Sequence, residues 1–129
     1  MSQTRGGDAE RRKRGEEKIR EVYAGDVRTP PPGASAFADI MLEQLFAEVW
    51  SREVLSMRDR RLLLLGAIAA LGERDTFGIQ ATAALKKGEL DPAQLREVLV
   101  FLVHYVGYPR AAGLLGVVEK TIQTVGPGD

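Results

Sequence analysis

Side chains that can transfer protons or bind anions are concentrated in the segment from His104 to Arg110. His104 is the only histidine of the chain, and imidazole is the side chain that exchanges protons near neutral pH. Tyr105 and Tyr108 can donate to a developing oxyanion, and Arg110 has paired donors that match a carboxylate. The segment predicts proton transfer to a small anion, with His104 and Tyr108 as catalytic residues and Tyr105 and Arg110 as binding residues. The structural alternative is a core histidine that bonds a backbone carbonyl, beside tyrosines that only pack.

Further candidates lie between Glu48 and Arg60. Arg52 and Arg60 can clamp a carboxylate, and Arg60 lies just before an apolar stretch in which an unpaired charge is costly. Trp50 can form a platform for a substrate or pack in the core. Glu48 is a candidate general base, although its four-residue spacing from Arg52 also fits an ordinary helical ion pair. The alternative for the arginines is a solvated position or an ion pair with a nearby glutamate.

Apolar residues that recur every three or four positions predict that helices position these side chains. No segment shows the alternation typical of a strand, so the predicted fold is all-α. The predicted helices span residues 35–52, 56–71, 75–87, 91–106 and 109–124.

Local signals indicate where several of these helices begin. Ser35 is a suitable N-cap, and Asp91-Pro92-Ala93-Gln94 has the residues of a capping box. Gly107 suits a sharp turn, and Pro109 suits the first turn of the helix that follows. The stretch Leu62–Leu71 is apolar on all sides, which predicts a central helix of the core or of a subunit interface. The helix before Gly107 is apolar around most of its circumference and is predicted to be buried.

Composition excludes several kinds of site. The chain has 129 residues, no cysteine, and 18 basic against 18 acidic side chains. Without cysteine it has no disulfide, thiol nucleophile or cysteine zinc site, and one histidine cannot build a multi-histidine metal centre. The balanced charge gives no argument for nucleic acid or an anionic membrane as a partner. We therefore expect no metal and no nucleic-acid partner.

The first 18 residues are charged and Gly-rich, with no apolar residue larger than alanine after Met1. They predict a flexible tail over residues 1–18, ahead of a single helical domain over residues 19–129. The N-terminus lacks the apolar stretch of a signal peptide, and Leu62–Leu71 is about half as long as a membrane span. We expect a soluble cytoplasmic protein without a membrane partner. The wide apolar faces of its helices predict a homo-oligomer.

Four segments occur in an order and at a spacing that resemble one protein family. They are Leu45–Arg52, Leu55–Arg60, Ala83–Gly88 and Tyr105–Ala111. Together they resemble the carboxymuconolactone decarboxylase family over about residues 34–124. The resemblance implies the all-helical alkyl hydroperoxidase D-like fold, which generally assembles into trimers or hexamers.

The resemblance also indicates a branch of that superfamily. The peroxidase branch has a Cys-x-x-Cys pair, whose positions correspond to Glu73 and Thr76 in this chain. A thiol peroxidase is therefore excluded, and the cysteine-free decarboxylase branch is favoured. The histidine commonly found eight residues before the glycine of the third segment is replaced by Gln80. An amide can bind a substrate but cannot exchange protons near neutral pH as imidazole does.

The expected function is decarboxylation of a small carboxylated lactone, such as 4-carboxymuconolactone, without a cofactor. An arginine would hold the substrate carboxylate, the lactone carbonyl would accept the electrons, and an acid would protonate the intermediate. The alternative is a non-catalytic, oligomeric binding or scaffold protein that keeps the same fold.

Overall fold

The structure, a computed structural model, describes residues 8–126 and is helical, with no strand in this range. The elements are α1 (Asp8–Val22), α2 (Ala36–Ile40), a π-helix (Met41–Val49), α3 (Met57–Leu71), α4 (Arg74–Lys86), α5 (Pro92–Val106) and α6 (Tyr108–Val125). The prediction of an all-α fold is confirmed. The chain divides into two compact units, one up to Met57 and one from Arg58 onward. The expectation of a single domain over residues 19–129 stays a prediction, and each unit is described by itself.

The helix α1 corrects the prediction of a flexible tail over residues 1–18. It begins at Asp8 and buries Arg12, Gly15, Ile19 and Val22. These residues are three or four positions apart and form one face, but a charged residue and a glycine occupy the first two positions. The apolar pattern is therefore hidden in the sequence. The part of the predicted tail before residue 8 lies outside the described residues.

Arg12 and Gly15 show how α1 is held within the N-terminal unit. The guanidinium of Arg12 is almost fully buried and donates to Asp39 Oδ1 at 2.7 Å, to the Pro30 carbonyl at 2.8 Å and to Glu16. These bonds satisfy the charge that burial would otherwise penalise. A Cβ atom at Gly15 would lie 2.0 Å from the carbonyl oxygen of Leu42. Only glycine allows the two helix backbones to approach this closely.

The predicted helix over residues 35–52 is two elements in the structure. Ser35 caps α2 as predicted, because its Oγ accepts from the Ala38 amide at 3.2 Å. From Met41 to Val49 the chain is wound as a π-helix, and the Trp50 amide accordingly bonds the Leu45 carbonyl, five residues back, at 2.8 Å. Apolar spacing shows that a helix is present but does not distinguish its winding. A nine-residue π-helix is unusual, because most are single turns inside α-helices.

The second unit consists of α4, α5, α6 and the part of α3 from Arg58 onward. The predicted capping box of α5 is confirmed: Asp91 Oδ1 accepts from the Gln94 amide at 2.8 Å, and Gln94 Oε1 accepts from the Asp91 amide at 3.0 Å. All four helices contribute side chains to one apolar core, which includes Leu65, Ile68, Phe77, Ala81, Leu95, Leu99, Leu114 and Val118.

The burial of α5 differs from the prediction, and α3 is not buried on all sides within one chain. Within α3, Leu65 and Ile68 are buried, but Leu63 is 65% exposed and Leu71 is 75% exposed. The helix α5 likewise buries one side only and leaves Phe101 exposed. A packed four-helix unit covers one face of each helix, so apolar residues on the opposite face stay at the surface. None of the helices described has the length and apolar character needed to cross a membrane.

Candidate functional site

A single glycine makes the turn between α5 and α6. Gly107 has φ +94°, its amide donates to the Val103 carbonyl at 3.0 Å, and its carbonyl accepts from the Ala111 amide at 3.1 Å. The predicted turn at Gly107 is confirmed. The following helix begins one residue earlier than predicted, at Tyr108, with Pro109 in its first turn. The turn therefore fixes the positions of the side chains on both helix ends.

The aromatic candidates of this turn lie at the surface. Tyr105 is 78% exposed and Tyr108 is 70% exposed, and the ring of Tyr105 lies 5.3 Å from that of Phe101. His104 is also exposed. On an α-helix it points away from the side that carries the buried Leu99. His104 is therefore not a core histidine, which was the structural alternative.

Arg110 lines a pocket beside this turn, which we call the corner pocket. Its volume is about 520 Å³, and its lining residues are Leu71, Gly72, Arg74, Val106, Pro109 and Arg110. Arg74 is the first residue of α4 and Arg110 lies in the first turn of α6. Among residues 8–126, these two arginines are the only charged residues that line it. The corner pocket can therefore bind a small anion.

Two glycines leave room for the arginines of the corner pocket. A Cβ atom at Gly113 would lie 2.6 Å from Nη2 of Arg74, so the guanidinium rests directly on the backbone of α6. Gly72 has φ +71°, and a Cβ atom there would contact Cδ and Nε of Arg110 at 3.6 Å. Glycine at Gly113 thus makes the observed position of Arg74 possible, and Gly72 supplies the turn between α3 and α4.

Gln80 belongs to a separate, buried cluster, which we call the Arg61 cluster. Arg61 has no exposed surface, and its Nη1 donates to Gln80 Oε1 at 2.6 Å. Its Nε donates to Glu89 Oε1 at 2.8 Å, and its Nη2 lies 3.4 Å from Glu89 Oε2. Arg58 donates to the Glu89 carbonyl at 2.8 Å. The arrangement is a neutral, hydrogen-bonded ion pair in the interior, in which Gln80 accepts from the arginine.

Three candidates belong to the N-terminal unit. Glu48 is exposed and accepts from Arg11 Nη1 at 2.8 Å, so this ion pair joins the π-helix to α1. Trp50 is buried and stacks on Phe46, with ring centroids 6.2 Å apart, which places it in the core of this unit. Arg52 is exposed and lies beyond the end of the π-helix.

Sequence reasoning missed Arg61 and Glu89 of the Arg61 cluster and Arg74 of the corner pocket. The remaining arginine candidate, Arg60, is half-buried, and its neighbour Arg61 is the fully buried one. A helical wheel places Arg61 on the same face as Leu65, so this signal was present in the sequence. Glu89 and Arg74 carried no comparable signal, because their roles depend on how α4 packs in three dimensions. No group of three or more potential metal ligands occurs among residues 8–126.

Comparison with known proteins identifies the family. Residues 35–120, more than half of the chain, match the carboxymuconolactone decarboxylase family. The chain belongs to the carboxymuconolactone decarboxylase family. The family match begins at Ser35, so it excludes α1 and includes the Arg61 cluster and the corner pocket. It confirms the resemblance drawn from the four sequence segments. No curated protein and no solved structure gave a match.

Proposed function

We propose that this protein is a cofactor-independent, decarboxylase-like enzyme that acts on a small carboxylated lactone or a related metabolite. The observation that supports the proposal is the corner pocket, where Arg74 and Arg110 are the only charged lining residues within the described part of the chain, in a member of the carboxymuconolactone decarboxylase family. A guanidinium binds a carboxylate through paired, charge-assisted hydrogen bonds. The pocket is also in the size range of small-molecule sites.

The proposed reaction breaks one carbon–carbon bond. The bond between the carboxylate carbon and the ring breaks, carbon dioxide leaves, and the electron pair moves into the unsaturated lactone carbonyl. An acid then delivers one proton to the resulting enolate. His104 and Tyr108 are the proposed acids, because both are exposed near the turn that borders the pocket. The positive charge of Arg110 stabilises the negative charge that develops on the lactone oxygen.

Turnover of 4-carboxymuconolactone tests this proposal. Purified protein is incubated with the compound, and the loss of its ultraviolet absorbance and the release of carbon dioxide are followed together. We expect turnover that decreases at least tenfold in Arg110→Ala, a loss of about 1.4 kcal/mol in transition-state stabilisation. Arg28→Ala, which removes an exposed arginine of the N-terminal unit, serves as the control. Turnover no faster than in buffer would rule out this substrate.

The Arg61 cluster favours a second candidate function, a non-catalytic protein that binds a small carboxylate. Gln80 occupies the position where the family commonly has histidine, and it is buried against Arg61. In this position the side chain is engaged in the interior and cannot carry a proton to a ligand. Analysis of ligand recovered after equilibrium binding separates the two functions. Unchanged lactone supports the binding protein, and decarboxylated lactone supports the enzyme.

A further inference from the structure

The charge of the corner pocket comes from its two guanidinium groups. Four helix ends meet there: the N-terminal ends of α4 and α6, and the C-terminal ends of α3 and α5 through Leu71 and Val106. A helix end is equivalent to about half a unit charge, positive at the N-terminus and negative at the C-terminus. The two positive ends and the two negative ends therefore cancel. Arg74 and Arg110 leave the pocket with two full positive charges.

Neither guanidinium is neutralised within the described part of the chain. Arg74 and Arg110 make no hydrogen bond or ion pair within residues 8–126. The acidic groups nearest in sequence are Glu73 and Asp75, which flank Arg74 but do not line the pocket. Glu73 instead accepts from the Thr76 hydroxyl at 3.4 Å. Among residues 8–126, the lining of the pocket thus has two positive charges and no carboxylate.

The two arginines come from different helices and contact different parts of the wall. Arg74 rests on the backbone of α6 at Gly113, whereas the stem of Arg110 contacts the turn at Gly72. Since each guanidinium has its own support, one acidic group of a ligand can bind each of them. The rest of the wall is Leu71, Val106 and Pro109, which suit a short carbon skeleton between the acidic groups.

We propose that the corner pocket is a site for a small organic dianion and that Arg74 selects a doubly charged ligand over a singly charged one. The negative charges of the ligand come either from two carboxylates or from one phosphate monoester. The inference deepens the proposed function, because it rests on the same pocket, but it concerns binding and does not require turnover.

Equilibrium binding by the full chain tests this inference. Isothermal titration calorimetry at matched ionic strength compares succinate and phenyl phosphate with acetate, which carries one charge. We expect at least one dianion to bind about tenfold more tightly than acetate, as one additional charge-assisted interaction predicts. Arg74→Ala and Arg110→Ala should each remove that advantage, about tenfold. Arg74→Lys should retain part of it, because lysine keeps the charge but lacks the paired donors.

The control is Arg28→Ala, which changes the net charge equally but lies in the other unit, and it should bind as the unchanged protein does. Thermal unfolding of each variant shows that the fold is retained. Tighter binding of succinate identifies two carboxylates as the preferred chemistry, and tighter binding of phenyl phosphate identifies a phosphate. The inference is overturned if neither dianion binds more tightly than acetate, or if Arg74→Ala binds both dianions as the unchanged protein does.

The same variants separate this inference from the proposed function. Dianion binding without turnover of 4-carboxymuconolactone contradicts the proposed substrate and leaves the dianion site standing. Turnover at an unchanged rate in Arg74→Ala, together with unchanged dianion affinity, contradicts the dianion site and leaves the enzyme standing.

Discussion

Arg61 lies on the buried face of α3, on which Leu65 and Ile68 are its neighbours in the helical repeat. Glu89 neutralises the charged group in this position, and Gln80 accepts a further hydrogen bond from it. The same contacts keep Gln80 away from solvent. Gln80 therefore has a structural interaction in this chain.

The Arg61 cluster makes a prediction about stability. Arg61→Ala should lower the free energy of unfolding by about 3–5 kcal/mol, because it leaves the carboxylate of Glu89 buried without its cation. The double variant Arg61→Met/Glu89→Leu removes both charges and should lose much less. Urea unfolding monitored by circular dichroism measures the free energy of unfolding of both variants. Equal losses in the single and the double variant would contradict a buried ion pair.

Gly15 makes a second prediction at the scale of one residue. Gly15→Ala should lower the free energy of unfolding by at least about 1–3 kcal/mol, because the added Cβ atom collides with the Leu42 carbonyl of the π-helix. Gly116→Ala is the matched control, since Gly116 is also helical and no atom lies within 4 Å of the added Cβ. There, alanine should be neutral or stabilising by about 0.5–1 kcal/mol. Thermal unfolding distinguishes the two, and equal effects would show that α1 does not cross the π-helix closely.

At the scale of elements, the sequence predicted what local signals determine. The capping box at Asp91, the cap at Ser35 and the turn at Gly107 were each predicted correctly because the chemistry lies within a few residues. The first half of α1 was missed because Arg12 occupies a buried position and Asp39, 27 residues away, supplies its counter-charge, although the sequence allows a short helix over residues 16–23. The π-helix was missed because apolar spacing does not report winding.

The candidate site was predicted less completely than the fold. The turn at Gly107 and Arg110 were found from sequence, since glycine, proline and arginine occur together there. Arg74 was not found, because its contribution arises when the start of α4 packs against Gly113 of α6. His104 illustrates the opposite case: its residue type suggested chemistry, but no sequence pattern showed that it lies at the surface.

The ion pair between α5 and α6 predicts a pH dependence. Arg96 Nε and Nη2 each donate to Glu119 at 2.9 Å, and these hydrogen bonds lower the pKa of Glu119 from its ordinary value of 4.5. A carboxylate whose pKa is lower in the folded state stabilises the protein above its unfolded pKa, and this contribution is lost as the pH falls. Both groups are exposed, so the contribution is small.

Glu119→Gln should therefore melt slightly below the unchanged protein at about pH 7, and the difference should shrink as the pH falls below about 4.5. Differential scanning calorimetry over this range measures the difference. Gln123→Ala, an exposed change on the same helix, should show no such pH dependence. A difference that stays constant down to about pH 3 would contradict the stabilising ion pair.

At the scale of the whole molecule, the exposed apolar side chains support the proposal of a homo-oligomer, a trimer or hexamer. Phe101 and Tyr105 contact each other on the outer side of α5 and are both more than half exposed. Adjacent large apolar groups on a surface are typical of an interface between proteins. A second copy of this chain is the proposed partner.

Phe101→Glu should therefore shift the protein to smaller species, because a charge would be buried without a partner in the interface. Sedimentation velocity at micromolar concentration measures the distribution of species, and Gln123→Glu is a control with the same charge change. If the protein without substitutions sediments as a monomer, the proposal of an oligomer is contradicted. A shift equal in both variants would show that charge alone, and not the α5 surface, is responsible.

The position of α1 outside the family match has a consequence for sequence comparison. A buried ion pair joins Arg12, which precedes the match, to Asp39, which lies inside it. Each residue loses its ion-pair partner when the other is absent, so we expect the two to be inherited and lost together. Relatives that lack α1 should vary more at Asp39, where only the contact with the Gly33 amide would favour an acid, whereas relatives that keep the helix should retain the acid there and glycine at the position of Gly15.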